Sequence, residues 1–94
     1  MHTMVVRMSI DPARAEEVAR HLCEDVVGWA SQQPGFVNGQ WLRSPDGSEG
    51  MGVVVFVSGD AAASAARGPR GYPRDASRAW NVESVTVYEQ LTSA

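Results

Sequence analysis

Lysine is absent from the 94-residue sequence, cysteine occurs once, and no apolar run approaches the length that crosses a bilayer. A lone Cys23 forms no intrachain disulfide, and neither Cys-x-x-Cys zinc spacing nor a redox pair is present. His-Glu-x-x-His and Asp-rich calcium loops are missing too, so no metal site is expected. Gly50-Met51-Gly52 runs into a strand rather than opening a helix, which excludes a phosphate-cradling loop. Basic charge is scarce: eight Lys+Arg against eleven Asp+Glu leave a net charge of −3. Nucleic acid and anionic membrane are therefore not the expected partners. The stretch Met1 to Arg7 lacks a basic region followed by an apolar run and a cleavage site, so the cytoplasm is the expected location.

What remains is 44 % hydrophobic and 20 % charged, the balance of one globular domain spanning 1–94. From Thr3 to Ile10, Met4, Val6, Met8 and Ile10 alternate with Thr3, Val5, Arg7 and Ser9, a period of two that predicts a strand. Asp11-Pro12 is a helix start, and Ala15, Val18, Ala19, Leu22, Cys23, Val26, Trp29 and Ala30 follow at three- and four-residue steps. Pro34 and Gly35 end that helix. Phe36–Arg43 reads as a second strand with Gly39 as a candidate bulge, Ser44-Pro45-Asp46-Gly47 as a turn, and Met51–Val57 as the returning strand. Ser58 caps a short helix over Ala61–Ala66 ending at Gly68-Pro69; a loop then runs to Trp80, and Val82–Leu91 is the last strand.

The order β-α-β-β-α-β, with right-handed crossovers, predicts an α+β ferredoxin-like plait: a four-stranded antiparallel sheet with both helices on one face. Val53, Val55 and Val57 share one face of the third strand, and Val54 and Phe56 the other. Two helices cover one face only, so a second copy of the chain is expected to cover the other. Roughly 25 cal/mol per Å² over about 500 Å² gives on the order of 12 kcal/mol before association costs.

Gln33-Pro34-Gly35-Phe36 after an amphipathic helix, Trp41, the Pro45-Asp46-Gly47 turn, Val53-Val54-Val55-Phe56-Val57-Ser58, an Ala-rich helix and Val85-Thr86-Val87-Tyr88-Glu89 resemble the antibiotic biosynthesis monooxygenase (ABM)-like proteins of the dimeric α+β barrel superfamily. The resemblance covers nearly the whole chain. It implies two plaits packed sheet to sheet as a homodimer, each with a cleft between sheet and helices. It also implies cofactor-independent monooxygenase activity on an aromatic or polycyclic small molecule, or alternatively a non-catalytic binding or dimerisation module. Those oxygenases often carry Asn and Trp four residues apart on the strand after the hairpin, where this chain has Gly52 and Phe56. The haem-degrading branch uses a His near the second helix, and Ser58–Trp80 contains none, so no cofactor is expected.

Candidate residues follow from chemistry and position. Arg7 interrupts an apolar strand and either holds an anionic or phenolate ligand or makes a salt bridge at an interface. Tyr88 is a phenolic donor or a core residue, and His2 a base at the chain start; with Arg7 they are the catalytic candidates. Asn38, Gln40, Trp41 and Phe56 on the two hairpin strands, with Tyr72, Arg74 and Trp80 from the Arg-rich loop, are the substrate-binding candidates. The loop is either a lid or a solvated connection. His21 is read as a solvated side chain with helical charge partners, and Cys23 as a small buried hydrophobe.

Overall fold

Alternation in the first strand decides which side of the molecule is inside. The computed structural model, which describes residues 1–94, extends β1 over His2–Ile10. Met4, Val6, Met8 and Ile10 are buried, and Arg7 is exposed. β3 (Glu49–Phe56) and β4 (Trp80–Glu89) flank β1 antiparallel, and β2 (Phe36–Arg43) pairs with β3, giving the order β2-β3-β1-β4. Met4, Val6 and Met8 pack with Val54 and Phe56 of β3 and with Ala62, Ala65 and Ala66 of the second helix, with Leu22 of the first helix against them. Both helices thus lie on one face, as the ferredoxin-like plait requires. The alanines let the second helix approach the sheet closely, and Phe56 is left with no exposed surface.

The helix starts follow from local chemistry. Asp11 Oδ1 accepts a hydrogen bond from the Ala13 amide at 3.1 Å with Pro12 in the first position, and Ser58 Oγ accepts from the Ala61 amide at 3.1 Å. The second helix spans Gly59–Arg70 rather than stopping before Gly68-Pro69; Pro69 sits in the last turn, where it has no N–H to give the Ala65 carbonyl and only Arg70 follows it in the helix. The first helix opens with a 3₁₀ turn (Pro12–Arg14), continues as α-helix (Ala15–His21), widens to a π turn (Leu22–Val26), and resumes over Val27–Ser31. Val18 and Ala30 are both buried, twelve residues apart. Twelve steps of an ideal α-helix would leave them about 120° apart around the axis, and the wide turn takes up that angle. The same widening corrects one expectation: Cys23 is exposed rather than buried.

Gly35 closes the first helix at φ +82°, and a Cβ there would lie 2.7 Å from the Ala61 Cβ. Only glycine fits both the backbone and the space. Two strand irregularities matter for the site. Between Phe36 and Asn38 the β2–β3 register slips, so the bulge is at Val37 and not at Gly39. Between Arg7 and Met8 the β1–β4 register slips, and Glu83 is the extra residue: Val82 pairs with Met8 and Ser84 with Arg7. β4 begins at Trp80 and ends at Glu89, two residues earlier at each end than the sequence pattern predicts.

The hairpin turn is held by Asp46, whose Oδ1 accepts from the Ser48 amide (3.0 Å), Ser48 Oγ (2.7 Å) and Ser44 Oγ (2.8 Å). These bonds hold its carboxyl at about 2, below the ordinary 3.8. Glu83 is likewise held at about 2, from 4.5, chiefly by the Arg74 guanidinium. A carboxyl depressed on folding stabilises the native state above its unfolded value and loses that contribution as pH falls through its folded value. The urea midpoint is accordingly expected to fall between about pH 4.5 and pH 2, and Asp46→Asn to lower the midpoint at neutral pH and flatten the acid limb. An acid limb unchanged in that variant would contradict the assignment.

Candidate functional site

Between the sheet and the helices lies a cavity of about 270 Å³. Its floor is the buried face of the sheet, Met4, Val6 and Met8 of β1, Val54 of β3 and Val82 of β4. Leu22, Val26, Trp29 and Ala30 of the first helix form one wall, and Gly68 and Pro69 of the second helix reach the rim. Trp41 of β2, Trp80 of β4 and Tyr72 of the loop complete it. The lining is mostly apolar, with three ionisable side chains: His21, Asp25 and Tyr72.

Glycines make room for the indoles. A Cβ on Gly39 would stand 2.7 Å from Trp41 Cη2, and one on Gly52 would stand 3.3 Å from Trp41 Nε1. Gly39 precedes Trp41 by two residues on the same face of β2, and Gly52 faces Trp41 across the β2–β3 pair. The indole therefore lies flat over two residues without side chains. Gly68 serves Trp29 in the same way, at 2.7 Å from Cζ2.

The aromatic wall is continuous. The His21 and Trp80 rings are stacked, with centroids 5.2 Å apart at 17°, and Tyr72 packs on Trp80 at 5.1 Å. Arg78 lies over both the Trp80 ring (4.5 Å) and the Tyr72 ring (5.1 Å). It is fixed there by donating to the Trp80 and Pro73 carbonyls at 2.8 and 2.9 Å and to Asn81 Oδ1 at 3.0 Å. Asn81 is 8 % exposed, accepts from the Asp75 amide and donates to the Asp75 carbonyl. The loop between the second helix and β4 is therefore pinned to the rim by its own polar groups, and is more than a solvated connection.

Of the residues chosen from sequence, the cavity gathers Trp41, Tyr72 and Trp80. The others lie elsewhere. Arg7 is on the opposite face of the sheet, at a polar groove of about 490 Å³ with Ser9, Leu42, Glu49, Met51 and Glu83. Asn38 pairs with Val55 and Gln40 with Val53, so both also face away from the helices. Without the Val37 bulge they would share the face of Phe36; the bulge reverses them. Tyr88 pairs with Thr3 and is exposed, because the Glu83 bulge switches the inward positions of β4 from Trp80 and Val82 to Val85 and Val87. Phe56 is core, meeting Phe36 edge to face at 6.4 Å. Arg74 is held bidentately by Glu83 at 2.5 and 2.8 Å, which raises the guanidinium and lowers the carboxyl. His2 lies near Gly59 at the start of the second helix, with Nδ1 buried and unpartnered.

Sequence reasoning missed His21 and Asp25 as cavity residues. A regular helical wheel puts both with the charged face, whereas the structure stacks His21 on Trp80 and bonds its Nδ1 to Asp25 Oδ2 at 2.8 Å. Their i,i+4 spacing was the visible signal.

No family model matches the sequence, and no curated protein matches it. Solved structures do. The haem degrader MhuD from Mycobacterium tuberculosis, with two haems bound in its active site, superposes with a TM-score of 0.76 at 17 % identity, covering 100 % of this chain and 99 % of that one. A monooxygenase from ActVA-Orf6 of Streptomyces coelicolor, in complex with nanaomycin D, superposes at 0.65 and 16 % identity, covering 99 % and 89 %. SnoaB, a cofactor-independent oxygenase from Streptomyces nogalater, superposes at 0.60 and 19 %, covering 98 % and 94 %. The chain thus shares the ferredoxin-like α+β plait of these structures, and at these identities the likeness is one of fold. At about 270 Å³ the cavity lies just below the ~300–1,000 Å³ of drug-sized sites.

Gly39→Ala is expected to push the Trp41 indole from its seat into the cavity at a cost of about 1–3 kcal/mol, by overpacking beneath the ring. Near-UV circular dichroism and a urea melt report the two effects. A variant with wild-type near-UV signal and stability would show that the glycine is not what seats the ring.

Proposed function

We propose that the chain is a small cofactor-independent monooxygenase acting on a planar aromatic molecule of two or three fused rings. The observation that carries this reading is the apolar cavity walled by Trp29, Trp41, Tyr72 and Trp80, with ionisable groups confined to its edge. Flat aromatic faces select flat ligands, and a water-poor interior suits both an electron-rich ring and molecular oxygen. The chemistry balances without an external reductant. A ring methylene activated by a neighbouring phenolate gives up four electrons to O₂; one oxygen atom becomes the new carbonyl and the other leaves as water. The nanaomycin D complex of a structural neighbour supports a polycyclic ligand. Gly52 and Phe56, at the positions where the resembled oxygenases often carry Asn and Trp, have no polar atom to offer, so the substrate is held by shape and stacking.

The open face of the sheet supports a homodimer. Val5, Leu42, Met51, Val53 and Val55 share that face, and neither helix covers it. No helix is long and apolar enough to cross a membrane.

Anthrone or a dihydroxynaphthalene is expected to quench tryptophan fluorescence and to consume one O₂ per substrate in an oxygen electrode, with Trp41→Ala weakening binding by about tenfold, equivalent to about 1.4 kcal/mol. Quenching without oxygen uptake would reduce the reading to a binding protein; neither signal would remove it. Sedimentation velocity at micromolar concentration is expected to give a two-chain species, and a folded single chain would exclude the sheet-to-sheet assembly.

A further inference from the structure

We propose that His21, oriented by Asp25, is the base that removes the phenolic proton of the aromatic ligand; this rests on the reading of the cavity as an aromatic-ligand site. Two constraints fix the imidazole. Stacking on Trp80 at 17° sets its plane, and the 2.8 Å bond from Nδ1 to Asp25 Oδ2 sets its rotation within that plane. A carboxylate can only accept, so Nδ1 carries a hydrogen, and in the neutral imidazole Nε2 keeps its lone pair with no protein partner. Neutral imidazole in this tautomer is a proton acceptor, with a carboxylate behind it to stabilise the imidazolium once formed.

Position supports the role. His21 and Asp25 both line the cavity, and the His21 side chain is 31 % exposed, so a captured proton can pass on to water. The π turn begins at the next residue, Leu22, and contains Asp25; wide turns of this kind are frequent at functional sites. The remaining ionisable lining group is the Tyr72 phenol, and a cation, Arg78, lies over the rings of Trp80 and Tyr72. On the same helix Glu17 is engaged by Arg14. The step is a proton transfer alone: the phenol O–H bond breaks, an Nε2–H bond forms, and no electron leaves the ligand until O₂ reacts. His21 would touch the substrate; Asp25 is a positioning residue.

Burial and a base shift a bound phenol in opposite directions. An apolar cavity alone disfavours the anion and moves ionisation to higher pH, whereas an acceptor backed by a carboxylate moves it lower. With 4-nitrophenol as probe, tryptophan quenching reports occupancy and visible absorbance reports the phenolate. The wild-type complex is expected to ionise about one pH unit below the free probe, a tenfold change in its ionisation constant. His21→Gln is expected to need more probe to saturate the quench, because it also removes a stacked ring from the wall, and once saturated to ionise above the free probe. Asp25→Asn keeps an acceptor for Nδ1 without the charge and is expected to fall between the two. Because the Asp25 side chain is 67 % exposed, that variant folds even if His21→Gln does not, and far-UV circular dichroism checks both. Wild-type ionisation at or above that of the free probe, or variants indistinguishable from wild type, would overturn the base assignment while quenching upholds the cavity. Absence of quenching would overturn the cavity reading and this inference together.

Discussion

The parity of β1 governs the molecule. Its side chains alternate between two environments, and the buried set, Met4, Val6, Met8 and Ile10, contributes both core and cavity floor. β1 is a central strand, paired with β3 on one side and β4 on the other, so its parity passes through the hydrogen-bond register to every neighbour. A slip of one residue would exchange the cavity floor for the face that carries Arg7. The helices are fitted to this surface: three alanines of the second lie against it, Val18 of the first packs with Ile10, and the first helix is widened between Val18 and Ala30, both of which are buried.

Much of this was legible in the sequence because it is local. The Asp11-Pro12 and Ser58 caps, the Ser44–Gly47 turn, Gly35 at the helix exit and the alternation of β1 each depend on a few adjacent residues. Most errors about the site share one cause. Asn38, Gln40 and Tyr88 were placed toward a ligand by their chemistry, but each follows a bulge that reverses parity, and a bulge arises from how two distant strands match. Nothing in Phe36-Val37-Asn38 alone reveals that Val37 is the odd residue. The helical charge partner expected for His21 is there in Asp25, but its place on the cavity wall is hidden from a wheel drawn at 100° per residue, which assumes an uninterrupted helix. Trp41, Tyr72 and Trp80 were easier to find, because large flat side chains near turns have few places to go other than a wall or an interface.

Cavity and rim are built on different principles. The interior depends on what is missing: Gly39, Gly52 and Gly68 carry no side chains where indoles need to lie. The rim depends on saturation of polar groups, with Asn81 and Arg78 tying the loop to β4 while Arg78 covers two aromatic rings. An apolar pocket that must stay open is best bounded by rings that cannot collapse inward, and rings anchored at one edge by hydrogen bonds and cation contact meet that need.

The widened turn of the first helix has a further implication. Eleven regular steps between the two buried anchors would align them to within about 20°, as well as twelve do with the π turn. Packing alone therefore has no use for the additional residue. A shortening by one amino acid within 22–24 would give a straight, ordinary helix that still seats Val18 and Ala30 and leaves His21 in place, yet would rotate Asp25 about the axis relative to the imidazole. The surplus residue sets where the Asp25 carboxylate lies against the His21 ring, and that placement is what a shortened helix would give up.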